Sequence, residues 1–490
     1  MNRLYFGDCL TIMEEMPLGS VDLIYLDPPF NSQRDYNAIY KDETGRPLPA
    51  QIEAFGDMWT LNEERERELR AMPVLMREAG IADESVEFWR LWMNALRRTN
   101  PNLLAYLSYM TQRLLPMRGL LKPTGSIYLH CDSTASHYIK VMMDAIFGHE
   151  GFRREIIWNL QTASGYKSKA SNYIRGHDVI LYYTKSRKYT FNKSFLPHKP
   201  EYTTRFKKVD QNGRKYRDDR PGKRRQYFDE TPGVALTDVW SDIMSFQQNS
   251  TSNERLGYAT QKPLALLKRI IKASSNEGDV VFDPFCGCAT TLEAAHSLNR
   301  KWVGIDIAIH AIKRVAAMRL RDRLALKEGV DFEIDGIPRD LEGVHDLWTR
   351  DKYHFQRWAV EQVDGFVTTK RTADGGIDGR LYFSLPNSKD LSSMAIEVKG
   401  GKNVGIKEAR ELRGVLDNDD ALMAGLIILD SLGPMKERNI RRFMAEAGDL
   451  DVMGVKYARM QLLTVAEILE NKRFHTPGVA GRGLAQPNLI

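Results

Sequence analysis

The segment VVFDPFCGCATT (Val280–Thr291) carries the densest chemical signal in the chain. A short apolar run ends at the carboxylate of Asp283. The small residues after it can turn tightly, and a helix starting near Thr290 would aim its free amides back at the strand end. Phe285, Gly287 and Thr290 belong to that turn. A second apolar run, KWVGIDI, ends at Asp306, 23 residues after Asp283. An acid about 20 residues beyond such a turn suits two ribose hydroxyls. The turn lacks GxGxxG, having only Gly287 followed by Cys288 and Ala289. A carboxylate at the first strand end repels a pyrophosphate and favours a cation, such as the amino group of a methionine moiety. An ordinary strand–turn–helix is the plain alternative for this segment taken alone.

These side chains need elements to hold them. VDLIYLDPPF reads as a buried parallel strand (Val21, Leu23, Ile24 and Leu26 are its apolar residues) that opens into a loop at Asp27, Pro28, Pro29 and Phe30. Residues 85–121 have helical spacing with a break at Asn100-Pro101. GSIYLHCD is a second strand, HYIKVMMDAIFG a helix, and EIIWNL and HDVILYYTK are further strands. TQKPLALLKRIIKASS predicts an amphipathic helix, and another is expected from Ile309 to about Ala325. The acidic stretch 326–349 reads as a linker between a first domain, 1–325, and a second, 350–475. The second alternates helix (HFQRWAVEQV), strand (GRLYFSL), strand (SMAIEVKG), helix (IKEARELRGVL) and strand (AGLIIL), an α/β pattern. From Arg473 onward Gly and Pro recur, and 476–490 is expected to be a loosely ordered tail.

Composition removes several classes. With 42% hydrophobic and 27% charged residues among 490, the chain fits a globular protein rather than a disordered or fibrous one. No stretch approaches the ~20 apolar residues of a membrane-spanning helix. Four cysteines without a CxxC pair give no disulfide framework or zinc site, and a reducing cytoplasm is the expected location. The net charge of +6 is unevenly spread. Residues 153–227 hold 20 Lys and Arg against 6 Asp and Glu, with twelve aromatics among them, so the rest of the chain sums to −8. Cations interleaved with aromatics suit phosphate contacts and base stacking. Arg205, Lys207, Lys208, Arg214, Lys215, Arg224 and Arg225 lie in the densest part and are the candidate DNA contacts. That part reads as a mobile arm, a solvated irregular insertion being the alternative.

DPPF at Asp27–Phe30 and DPFCGCATT at Asp283–Thr291 together resemble the amino-methylating DNA methyltransferases that use S-adenosylmethionine. DPPF precedes the cofactor segment, with the basic stretch between them. That order is similar to the β-class permutation, with a target-recognition region (here about 153–255) in the middle. TQKP at Thr260–Pro263 is similar to the segment that closes over the methionine end, which implies cofactor contacts for Lys262 and Pro263. GDCL at Gly7–Leu10 is similar to the segment whose acid, here Asp8, lies near the cofactor adenine. Asp283, Phe285, Gly287, Thr290 and Asp306 complete the implied cofactor set. The resemblance covers roughly residues 1–320 and implies a Rossmann-like α/β fold acting on duplex DNA. One departure stands out. The family turn usually reads small-Gly-Ser-Gly, whereas this chain has Cys286-Gly287-Cys288-Ala289, and the Cβ of Ala289 narrows the space for the cofactor.

The implied chemistry explains the residue types. An exocyclic amino group conjugated to a base is a poor nucleophile. Asp27 can accept one of its hydrogens and the Pro28 carbonyl the other, pushing the nitrogen toward tetrahedral geometry and stabilising its developing positive charge. Phe30 offers a face to a base that has left the duplex. The methyl moves in line, with no covalent enzyme intermediate. Adenine is expected over cytosine, because the family's cytosine-amino enzymes more often carry Ser in place of the Asp.

In the second domain Asp378 lies at a turn, and Glu397 and Lys399 alternate with Ile396 and Val398, so both charges point to one strand face. Two carboxylates and a lysine suit Mg²⁺ and an activated water. ADGGIDGR followed by AIEVKGG resembles the PD-(D/E)XK nuclease superfamily, its Mrr-like restriction endonuclease branch most closely. Glu361, on the preceding helix, is an extra candidate ligand position in that fold. A surface strand with charges on its wet face is the alternative. His130 and Asp132 read either as a pocket wall or as a packed histidine, and Trp89 and Trp92 as core.

The expected assignment is therefore a site-specific DNA methyltransferase with a linked nuclease-like domain, compatible with a homodimer or a restriction-modification partner subunit. A non-catalytic DNA-binding protein, and methylation of RNA or protein, are the rivals.

Overall fold

The computed structural model describes residues 2–29, 61–160, 171, 173–218, 225–249, 251–256, 260–309, 311–368, 377–386, 391–401, 404–418 and 421–478. Nine strands form one sheet, in the order Val239–Trp240, Phe152–Asn159, His177–Thr184, Leu121–Cys131, Val21–Leu26, Val280–Asp283, Lys301–Asp306, Asn2–Phe6 and Phe332–Asp335. His177–Thr184 runs antiparallel to both neighbours. All other neighbours pair in parallel. Parallel strands need long crossovers, and their helices cover both faces.

Val21–Leu26 shows the consequence, since all six of its residues are buried. Leu23 and Tyr25 join one core with Leu266, Leu267 and Ile270 of helix Leu264–Ser274. Ile24 and Leu26 join the opposite core with helices Pro101–Leu120 and Ser136–Phe147. The break at Asn100-Pro101 is a helix start, where Asn100 Oδ1 accepts from Leu103 N at 3.1 Å and Pro101 occupies the first turn. Trp89 is buried as expected, and Trp92 is partly buried, stacked on Tyr138.

The register brings the ends of four parallel strands to one edge, and with them Asp27, Asp283, Asp306 and Asp8. The carboxyl edge of a parallel sheet is where α/β folds bind ligands.

Three boundaries differ from expectation. The stretch 326–349 is not a linker, because Phe332–Asp335 adds the ninth strand beside Asn2–Phe6 and Leu341–Arg350 is a helix. A four-residue edge strand with two buried side chains shows too little periodicity to be read in sequence. The region 153–255 starts inside strand Phe152–Asn159 and also takes in strands His177–Thr184 and Val239–Trp240 of the sheet, so the excursion between the last two runs only from 185 to 238. There, Lys208–Val209, Lys215–Asp218 and Arg225–Tyr227 form a small antiparallel sheet where polar composition predicts a mobile arm. Finally, 473–478 packs on the second domain. Phe474 fills the space over Gly425, where an added Cβ would meet its ring at 2.6 Å.

The second domain is a five-stranded sheet, in the order Phe366–Val367, Gly379–Ser384, Leu391–Lys399, Met423–Ile428 and Met460–Thr464. Its first two pairings are antiparallel and its last two parallel. Helix Lys352–Gln362 covers one face, and Ile406–Asn418 with Pro434–Ala445 the other. The core under Lys352–Gln362 is continuous with the first domain, running from Phe355 and Trp358 to Leu4 and Phe6. Among the described residues, no helix is long and apolar enough to cross a membrane.

Candidate active site

Asp27 ends the central strand with its side chain only 12% exposed. The ammonium of Lys262 pairs with its Oδ2, while Oδ1 is buried with no hydrogen-bond partner among the described residues. Pro28 is buried behind it and Pro29 half-buried. Phe30 lies outside the described residues. Lys262, a cofactor contact by resemblance, has its nitrogen on Asp27 and at 3.3 Å from the carbonyl of Thr260. The segment around it is pinned by Gln261, which donates to Glu254 O at 2.7 Å and accepts from Leu256 N at 2.8 Å. Pro263 caps helix Leu264–Ser274, and the Glu254 carboxylate accepts from Leu264 N.

Asp283, one strand over, is buried. Burial pushes its carboxyl up to about 7 despite bonds from Thr291 and Phe285 N, and the nearby charges of Asp27 and Asp306 push the same way. The turn beyond it is tight. Cys286 N donates to Ile305 O at 2.9 Å, Ala289 N to Cys286 O at 2.7 Å, and Gly287 N to Asp306 Oδ2 at 2.9 Å. Gly287 has φ +47° and Ala289 φ +61°, the left-handed region that favours glycine. The departure noted at Ala289 therefore carries a backbone cost as well as a Cβ. Arg319, which the sequence reading missed, secures the turn from below. It is buried, ion-paired with Glu293, and donates to Thr290 Oγ1 at 2.7 Å and Cys288 O at 3.2 Å. It lies on a helix that reads as amphipathic, and nothing local marks it as buried.

Asp306 ends the next strand. Its carboxylate accepts from Gly287 N and, at 2.8 Å, from Ala308 N. Burial raises its pKa and these two amides counter it. Asp8, at the end of the following strand, caps helix Cys9–Glu14 through Leu10 N at 2.8 Å and pairs with Arg113 at 2.6 Å. Phe285 packs partly buried into the core beneath the turn. The four thiols are all buried. Burial pushes Cys9 up to about 12 and Cys131 and Cys286 well above the usual thiol range, so none is poised as a nucleophile.

The profile of the DNA methylase family, the N6/N4 enzymes, matches residues 21–318, more than half of the chain. The chain belongs to that family. Among curated relatives, the type II methyltransferase M.EcaI of Enterobacter cloacae is 30% identical over 43% of this chain and 56% of its own length. The type II methyltransferase M.BamHI of Bacillus amyloliquefaciens is 24% identical over 72% of this chain and 66% of its own. The DNA adenine methyltransferase YhdJ of Escherichia coli K12 is 26% identical over 63% of this chain and 79% of its own. The match thus spans less than two thirds of the length of the first two.

In this chain the basic excursion carries Arg205, Lys207 and Lys215 exposed. Arg225 is exposed over the Tyr216 ring at 4.7 Å. Lys208 is paired with Asp218, and Arg214 is engaged by Asp229 at 2.7 Å and Glu230 at 3.0 Å over the Tyr227 ring. Arg224 lies outside the described residues. His130 is a packed histidine, held by the Tyr25 hydroxyl at 3.0 Å and Asp178 at 3.3 Å. Asp132 is buried and pairs with Arg175 at 3.3 Å.

In the second domain Asp378, Glu397 and Lys399 gather at one end of the sheet. Asp378 Oδ2 accepts from Val398 N at 2.7 Å, and Lys399 Nζ lies 2.6 Å from Glu397 Oε1. Burial pushes Asp378 up to about 6 and raises Glu397; Lys399 pulls both back. Among the described residues no three His, Cys, Asp or Glu side chains form a metal-holding cluster. Glu361 is not part of this group, because it faces the methylase domain and accepts from Ile309 N at 2.7 Å.

Proposed function

We propose that this chain transfers a methyl group from S-adenosylmethionine to the exocyclic amino group of adenine in duplex DNA, within a restriction-modification system. The observation that carries this is Asp27 at the end of the central strand, one oxygen held by Lys262 and the other without a hydrogen-bond partner among the described residues, beside the strand that ends at Asp283. Asp27 Oδ1 can accept one amino hydrogen and the Pro28 carbonyl the second, which turns the nitrogen lone pair toward the methyl donor. Lys262 fixes the carboxylate while leaving that oxygen open.

The donor site fits the cofactor. Asp283 is a buried acid whose neighbours are acids, and it is relieved by a cation such as the cofactor's amino group. Gly287 and Thr290 shape the turn that receives it, Phe285 and Pro263 border it, and Asp306 and Asp8 stand at the ribose and adenine positions. When bound, S-adenosylmethionine supplies an electrophilic methyl on sulfur. The buried, protonated thiols have no covalent role to play. The relative named as an adenine methyltransferase supports adenine, with cytosine as the second reading. Exposed Arg205, Lys207, Lys215 and Arg225 supply backbone contacts to DNA.

The second domain is read as a nuclease-like module on a separate observation, the convergence of Asp378, Glu397 and Lys399. Buried Glu397 and half-buried Asp378, both with raised pKa values, favour a cation between them. Asp378 and Glu397 would hold Mg²⁺, which would activate a water for phosphodiester cleavage, and Lys399 would meet the phosphate.

The deciding experiment incubates the protein with unmethylated genomic DNA and S-adenosylmethionine, then reads nucleosides by mass spectrometry. Methyl on the adenine amino group is expected. Methyl on the cytosine amino group changes the base. No methylated nucleoside, with DNA bound, supports a binding protein instead.

A further inference from the structure

Helix Lys352–Gln362 belongs to the second domain by its packing, yet its polar face is turned toward the first. His354, Arg357 and Glu361 lie three and four residues apart and so share one stripe. Their surroundings are the turns that follow two adjacent strands of the methylase sheet. The His354 ring packs on Phe6 at 4.5 Å between centroids, and a Cβ on Gly7 would lie 3.4 Å from its Cε1. Gly7 directly precedes Asp8. The Glu361 carboxylate accepts from Ile309 N at 2.7 Å, three residues after Asp306. Arg357 Nε lies 3.4 Å from Glu361 Oε1, and its charge reaches Asp306.

His354 is only 8% exposed, and its Nε2 has no hydrogen-bond partner among the described residues. Burial also pushes its pKa down to about 4, so the ring is a neutral donor or acceptor at physiological pH. An unpartnered buried ring nitrogen beside the turn of Asp8 is costly unless a ligand meets it.

We propose that this helix is the outer wall of the adenosine end of the cofactor site, so that the second domain completes the site and cofactor occupancy is coupled to domain docking. The proposal rests on the methyltransferase reading above. Glu361 and Arg357 are positioning residues that hold the Asp306–Ile309 turn, and His354 contributes the polar atom facing the adenosine. By reciprocity, a cofactor that needs the docked helix must also stabilise the docking. A DNA-bound, cofactor-loaded enzyme would then hold its second domain more firmly than a cofactor-free one.

The test uses the full chain and S-adenosylhomocysteine as probe, by isothermal titration. Glu361→Gln alone leaves Arg357 buried without its partner and can fail to fold. The double variant Arg357→Met/Glu361→Gln removes the pair together. DNA affinity by fluorescence anisotropy serves as the folding control, since a structural loss would lower it as well. We expect the double variant and, separately, His354→Phe to bind the probe at least about tenfold more weakly with DNA affinity kept. We also expect the probe to slow hydrogen exchange across 352–362 in the wild-type chain. Unchanged or tighter probe binding in both variants, or no change in exchange of that helix, overturns this inference alone. No binding by the wild-type chain overturns the methyl-transfer reading and this inference with it.

Discussion

Lys262 and Asp27 stand 235 residues apart in sequence and form one ion pair, which occupies a single oxygen of the carboxylate at the end of the central strand. The other oxygen, Oδ1, has no hydrogen-bond partner among the described residues, and in the proposed reaction it accepts an amino hydrogen of the base. Asp27→Ala is expected to lower methyl transfer by at least about 10²-fold, in the range seen when a preorganised polar group is removed from a developing charge. Binding of S-adenosylhomocysteine should stay within a few-fold, because Asp27 serves the base rather than the cofactor. Methylation at the wild-type rate by this variant would falsify the role assigned to Asp27.

Asp283 gives a pH signature. Its carboxyl sits near 7 because it is buried, against an ordinary value of 3.8. A cation beside it favours the ionised form, so binding of S-adenosylmethionine must release a proton wherever the free group is still protonated. Affinity should therefore rise from about pH 5 to about pH 8 and then level off. Titrations in buffers of different ionisation enthalpy should show proton release near pH 6, and Asp283→Asn should bind weakly with a flat profile. The same raised value means that the contribution of Asp283 to stability is present below its unfolded pKa and lost as pH rises through about 7. Asp283→Asn should accordingly reduce the fall in urea midpoint between those limits.

Ala289 holds a left-handed conformation, with φ +61°. A residue with a Cβ is disfavoured there by about 1–2 kcal/mol. Glycine removes that strain but returns about 0.4–1 kcal/mol of chain entropy to the unfolded state. Ala289→Gly should thus gain about 0.5 kcal/mol in urea denaturation and tighten cofactor binding. Ala289→Val should lose more than 1 kcal/mol, since a branched side chain tolerates that region least. A midpoint that falls on going to glycine would show the turn to be unstrained by its alanine.

The Asp378, Glu397 and Lys399 group predicts a second, separable activity. Lys399→Ala and Asp378→Ala should each abolish Mg²⁺-dependent nicking of plasmid DNA while leaving adenine methylation at the wild-type level. Cleavage that survives in either variant, or an absence of cleavage by the wild-type chain across a range of DNA substrates, removes the nuclease assignment.

Local features could be read from residue order alone. An apolar run closed by an acid and a small-residue turn is a statement about neighbouring residues, and Asp27, Asp283 and Asp306 were legible for that reason. The alternation around Glu397 and Lys399 was legible on the same grounds, because a strand places every second residue on one face. Tertiary structure decided which faces meet. Lys262 could be placed near the cofactor by resemblance, but only the fold across 235 residues brings it to Asp27. Arg319 became a buried support of the turn because the face it occupies packs on Glu293 and Cys288. Glu361 shows the limit most clearly. Its helical spacing states that it shares a stripe with His354 and Arg357, but a helix between two sheets can offer that stripe to either. Continuous apolar packing from Phe355 and Trp358 into the first domain turns it toward Ile309, away from the acids with which it was first grouped.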